Sequence, residues 1–186
     1  MAIAETSLPR LGNALILRAI PTLIAALVIT FSRNHAPVVG LAVFVGFGFL
    51  LAAVMLFTVM SVPLDCLNRK LFGAHAIVTA VSAAIAAASL SGGLPALILV
   101  ISIWAALTAA LELYAGYREQ NKTVAKEWLT IGAFTAVLAI IEAAVPLNDV
   151  YAVGLFGAYA AMVGVFQVIA GISLRTDSPL KNEVAS

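Results

Sequence analysis

The sequence predicts an all-α, polytopic membrane protein: six transmembrane helices in a bundle, as three consecutive helical hairpins, with both termini cytoplasmic. Three observations carry this expectation. First, the 186 residues are 63% hydrophobic and only 10% charged, whereas a soluble domain carries about 25% charged residues. Such a chain has too little polar surface to face water, so the lipid bilayer is its first partner. Second, six apolar runs each approach the roughly 20 residues that cross about 30 Å of hydrocarbon at 1.5 Å per residue. Third, basic residues crowd into alternate connectors. The net charge of +1 gives no basic surface for a nucleic acid.

The spans are expected at about 11–31, 37–60, 71–90, 94–117, 126–145 and 150–174, within a transmembrane domain of residues 1–175. A polar cytoplasmic tail, 176–186, follows. Arg10 before the first run resembles the start of a signal peptide. The run is longer than a typical apolar signal core of about 7–15 residues and lacks a small-residue cleavage site, so it reads as a retained helix. Pro37 suits the first turn of the second helix, where its missing N–H costs nothing. Gly92, Gly93 and Pro95 mark a tight turn. Pro146 closes the fifth helix, and Asn148 or Asp149 can cap the sixth. These three connectors are short and join antiparallel neighbours. Connectors 61–70 and 118–127 are longer and more charged; the second could bind anionic lipid or an acidic patch.

Charge then orients the chain. Arg10, Arg69, Lys70, Arg118, Lys122, Lys126, Arg175 and Lys181 fall on one face and Arg33 alone on the other. Short basic loops stay cytoplasmic, which places both termini inside. Phe72, Tyr114, Tyr117 and Trp128 are expected at the inner border, where amphipathic rings favour the headgroup level.

The even helices repeat. Phe47, Trp104 and Tyr159 each open a similar segment, at spacings of 57 and 55 residues, and its ninth position is Met55, Glu112 or Gln167. A fixed period indicates one supersecondary unit used three times, here in one orientation about an axis along the membrane normal. Close packing in lipid depends on small residues. These are Gly48 with Ala52, Gly157 with Ala161, Ala160 with Gly164, and Ala80, Ala84 and Ala88 on the third helix, which is expected to be the most buried.

Ionisable residues within spans require partners. Arg18, His75, Glu112 and Gln167 fall at a similar depth on four helices and form the candidate inner polar layer. Arg18 is expected to pair with Glu112, with Gln167 or His75 completing the hydrogen bonds. Glu142 is expected near the outer surface, within reach of Arg33, His35 or solvent. Between the two levels lie only hydroxyls such as Thr79, Ser82, Ser102 and Thr135. The sequence has no nucleophile elbow, Gly-rich phosphate loop or His-Glu-x-x-His spacing. The two histidines fall on opposite sides, and Cys66 is the single cysteine. No catalytic, cofactor-binding or metal-ligating residue is therefore assigned.

The segment from Ile103 through Trp104 and Glu112-Leu113 to Arg118 resembles the fourth helix of HdeD-like small membrane proteins. These often read as a Trp, then Gly or Ala, then Glu-Leu and a closing Arg. Glu127-Trp128-Leu129-Thr130-Ile131-Gly132, Pro146, Gly157-Ala158-Tyr159-Ala160 and Gly164-Val165 are similar to the family's third hairpin. The resemblance covers about 97–175. It is thin in the first hairpin, where Pro21 and Pro37 replace a Gly-rich helix and a downstream Pro. It implies a six-helix protein of the bacterial inner membrane, in a family whose namesake is linked to acid resistance. The expected function is non-enzymatic: an accessory subunit of a membrane complex, or an acid- or envelope-stress factor, acting through contacts with other membrane proteins or itself. The alternative is a small transporter or channel using Arg18, Glu112 and Glu142.

Overall fold

The computed structural model describes residues 8–62, 64, 66–144 and 148–176, with Cys66 described in its backbone only. The tail beyond residue 176, Pro146 and the Cys66 side chain lie outside the described residues. Among the described residues the regular secondary structure is α-helical. The helices are α1 (Leu8–Phe31), α2 (Pro37–Ser61), α3 (Cys66–Ala88), α4 (Gly93–Arg118), α5 (Lys122–Ala144) and α6 (Asp149–Thr176). Each is long and apolar enough to cross a membrane. The chain is a multi-pass membrane protein, and its exposed Ile20, Leu27, Leu56, Ile77, Ile140 and Ile169 form the surface that meets lipid.

Local chemistry sets the ends. Pro37 occupies the first turn of α2. Gly93 at the start of α4 has φ 64°, a conformation that disfavours side chains, so the tight turn needs glycine there. Asn148 Oδ1 accepts from Tyr151 N at 2.9 Å and caps α6. Three starts differ from expectation; α1 begins at Leu8, three residues before the expected 11. α5 begins at Lys122 because Asn121 Oδ1 accepts from Thr123 N at 3.1 Å and Val124 N at 3.2 Å. That cap draws a charged turn into the helix, which an apolar run cannot reveal. α3 runs Cys66–Ala88, because its first polar turn is helical and residues 89–91 form the turn instead.

The helices form a ring in chain order, closed by α1 lying along α6. The even helices α2, α4 and α6 also meet one another in the middle. The most extensive interfaces are α1–α6, α4–α5 and α2–α3, which join neighbouring hairpins; those inside the hairpins are smaller. Small residues explain this pattern. A Cβ placed on Gly171 would lie 2.6 Å from Gly12 O, and one on Gly12 would lie 2.5 Å from Gly171 O. Backbones approach there as side chains would forbid. Gly157 receives Ile29, Gly164 receives Leu23, and Gly171 receives Ile16. Gly116 and Gly132 serve the α4–α5 seam in the same way, against Leu129 and Leu113.

Three expectations are corrected. α3 is not the most buried helix; α1 and α6 each bury half of their most apolar stretch, and α3 buries less. Ala84 and Ala88 face outward, while α3 packs through Ala76, Ala83 and Ala86. Phe72 and Trp128 do not belong to a border of headgroup-facing rings. They are buried edge-to-face on each other, with centroids 5.0 Å apart, whereas Tyr114 and Tyr117 are exposed as expected.

The repeat extends further than the even helices. Eight core positions of α1 (Leu11, Leu15, Arg18, Ala19, Thr22, Ala25, Ala26, Ile29) recur as buried positions 57 residues later in α3 and a further 56 later in α5. The recurrence gives Thr22, Thr79 and Thr135; Ala26, Ala83 and Ala139; and Arg18, His75 and Ile131. Each unit is thus an odd helix followed by an even helix.

Candidate functional site

The core is layered along the ring's centre. Phe44, Phe47, Trp104, Phe156 and Tyr159 fill one level. Trp104 lies 5.3 Å from Phe44, 5.4 Å from Phe47 and 6.1 Å from Tyr159, all edge-on. Phe156 lies 5.6 Å from Phe44 and 5.5 Å from Phe47. The even-helix periodicity places aromatics at five of these six equivalent positions, with Ile101 at the sixth.

The polar layer lies about two turns further along α4 and α6. Arg18 Nη2 donates to Glu112 Oε1 at 2.8 Å, and both residues are no more than 2% exposed. Arg18 therefore does not reach the headgroups. Its guanidinium carbon lies 5.5 Å from the centroid of the Trp128 ring, within cation–π range. His75 Nδ1 lies 3.8 Å from Glu112 Oε1, too far for a hydrogen bond. The second carboxylate oxygen of Glu112 faces Thr135 Oγ1 at 3.2 Å; that hydroxyl shares its one proton between Glu112 and Ile131 O at 2.9 Å, and it makes a 3.0 Å hydrogen bond with the Tyr159 hydroxyl.

The layer expected from depth is thus assembled, with a different set of bonds. Arg18 pairs with Glu112, but neither Gln167 nor His75 hydrogen-bonds to the pair. Gln167 Oε1 instead faces Thr22 Oγ1 at 3.5 Å, while that hydroxyl donates to Arg18 O at 2.9 Å. Thr135 and Tyr159 complete the centre, and sequence reasoning did not give either of them this role. The signal was available in the Thr22, Thr79 and Thr135 recurrence. In the ring each threonine sits between the ninth-position residue of the preceding even helix and the opening aromatic of the following one. Thr135 bonds to both, Glu112 and Tyr159. Thr79 bonds only to Trp104, whose Nε1 donates at 3.2 Å, because its other partner would be Met55. Thr22 keeps its short bond to Arg18 O and makes only the 3.5 Å contact with Gln167; the aromatic at its other side is Phe47, which has no polar group.

Glu142 stands apart. It occupies the α5 position equivalent to Ile29 and Ala86 and is 1% exposed. Among the described residues its carboxylate oxygens have no hydrogen-bond partner, and it forms no ion pair with Arg33 or His35. Arg33 is exposed and His35 half-buried. The structure therefore does not bring the outer trio together. Ser102 bonds back to Leu99 O at 3.2 Å within its own helix and so does not link the two levels.

The arrangement is a buried charge pair, walled by Trp128 on one side and by the aromatic level beyond, in which Arg18 Nε and Nη1 and His75 Nε2 have no hydrogen-bond partner among the described residues. Protein-family models, curated proteins and solved structures give no match to this chain.

Proposed function

We propose that the chain is a non-enzymatic integral membrane protein that acts through its helix surfaces. It would serve as an accessory subunit of a membrane complex or as an acid- or envelope-stress factor in the bacterial cytoplasmic membrane, with both termini inside. The observation that supports this reading best is the Arg18–Glu112 pair, buried at 2.8 Å and further held by Thr135. Charges bound to each other in this way fasten helices and are poorly placed to carry cargo. The resemblance to HdeD-like proteins supplies the stress context. Reconstitution into phosphatidylglycerol-containing vesicles tests it: proton and sodium flux should match protein-free vesicles, and deletion should lower survival under acid or envelope stress. A flux that Glu112→Gln abolishes would overturn the proposal.

One observation favours a second reading, a small transporter. Glu142 is a buried carboxylate without a hydrogen-bond partner among the described residues, and intramembrane carboxylates often mark ion or proton pathways. In that case Glu142→Gln would abolish a flux that the unaltered chain supports.

A further inference from the structure

Between α1 and α2, in the half nearest their connecting loop, lies an apolar groove of about 480 Å³ lined by Pro21, Ile24, Val28, Val39, Gly46 and Leu50 among others. This volume falls within the range of about 300–1,000 Å³ typical of ligand sites. The repeat shows why it opens here. The positions of Pro21 and Gly46 are held by Val78 and Ile103 in the second unit, and by Phe134 and Ala158 in the third. Phe134 packs edge-on against Phe166, with centroids 6.3 Å apart. Only the first unit pairs a proline with a glycine. A Cβ on Gly46 would meet nothing within 4 Å, so the space beside it is open.

The groove's depth and rim name the occupant. On α1 the groove runs from Pro21 to Val28, about 10 Å, and on α2 from Val38 to Leu50, about 18 Å. From the loop end inward this is close to the roughly 15 Å half-thickness of the hydrocarbon, the depth of one leaflet. The lining ends at Val28 on α1 and Val38 on α2, and the 32–36 loop that joins the two helices beyond them carries the exposed Arg33 and no acidic residue. We propose that this groove holds one acyl chain of an anionic phospholipid, with the lipid phosphate at Arg33.

The substitution that closes the groove is already present in the second unit. Gly46→Ile reproduces Ile103, and Ala42→Leu reproduces Leu99 at another lining position. The full chain, purified in mild detergent, would be exchanged with phosphatidylglycerol or phosphatidylcholine and the retained lipids counted by native mass spectrometry. The unaltered chain should keep a phosphatidylglycerol. Gly46→Ile should lower retention roughly tenfold, through lost apolar contact, while keeping the unaltered melting temperature. Ala42→Leu should act in the same direction. Arg33→Gln should still hold a lipid but lose the preference for phosphatidylglycerol. Undiminished retention in both groove variants would overturn the proposal. So would equal retention of the two lipids by the unaltered chain, or a lipid-free dimer that Gly46→Ile dissociates.

Discussion

At the scale of single residues, the centre of the molecule is a test of what a buried pair contributes. Removing one partner of a buried ion pair leaves an uncompensated charge, which typically costs about 3–5 kcal/mol. Glu112→Gln with Arg18 retained should therefore lower the melting temperature in detergent markedly. Replacing both residues with Met, the residue the first unit carries at the Glu112 position, should recover most of that loss. If the single variant melts with the unaltered protein, the pair is not a fastener. The threonines provide a graded comparison. Interhelical hydrogen bonds in membranes average about 0.6 kcal/mol and reach about 1.7. Thr135→Val, which removes bonds to both Glu112 and Tyr159, should cost about 1–2 kcal/mol. Thr22→Val, which removes a 3.5 Å contact, should cost a few tenths. Equal costs by thermal unfolding would contradict the bonding scheme. Depth counted along each apolar run was enough to bring Arg18 and Glu112 together in advance. It could not reveal which hydroxyl would complete the site, because Thr135 and Tyr159 are ordinary helix residues until the ring order is known.

At the scale of elements, seams rather than hairpins hold the bundle. The glycines differ in what they would meet, and this ranks their substitutions. A methyl on Gly12 or Gly171 meets backbone carbonyl oxygen, which cannot yield without separating α1 from α6. A methyl on Gly164 meets the Cγ and Cδ2 of Leu23 at 2.7 Å, a side chain that can turn aside, with backbone no nearer than 3.4 Å. Overpacking typically costs about 1–3 kcal/mol. Gly12→Ala and Gly171→Ala should fall at the upper end and Gly164→Ala at the lower, as read from melting temperatures in one detergent. The reverse order would mean that the α1–α6 seam is looser than described. The sequence showed that small residues matter but misassigned the α3 alanines, since an every-fourth-residue stripe looks the same whether it faces a helix or lipid. Helix starts were misjudged for a related reason. Hydropathy measures the membrane-fit part of a helix, and Asn121 extends α5 beyond it into a polar turn.

At the scale of the whole molecule, the threefold repeat explains why one layer can be polar and still closed. Each unit contributes one odd and one even helix to a common ring, so a charge from α1 can meet a carboxylate from α4 across the centre. The repeat was legible in the even helices through their aromatics. It was hidden in the odd ones, where the recurring feature is a pattern of burial with one threonine and one alanine. Orientation in the membrane rests on charge alone: eight basic residues against Arg33. That asymmetry predicts which connectors water-soluble reagents reach. In a Cys66→Ser background, Asn34→Cys lies in the exposed α1–α2 loop and Gln120→Cys in the exposed turn between α4 and α5. A membrane-impermeant maleimide applied to intact cells should label Asn34→Cys and leave Gln120→Cys unmodified until the membrane is permeabilised. The opposite pattern would place the basic loops outside. It would also move Arg33, and the groove beside it, to the cytoplasmic leaflet, where anionic lipids would have to be sought instead.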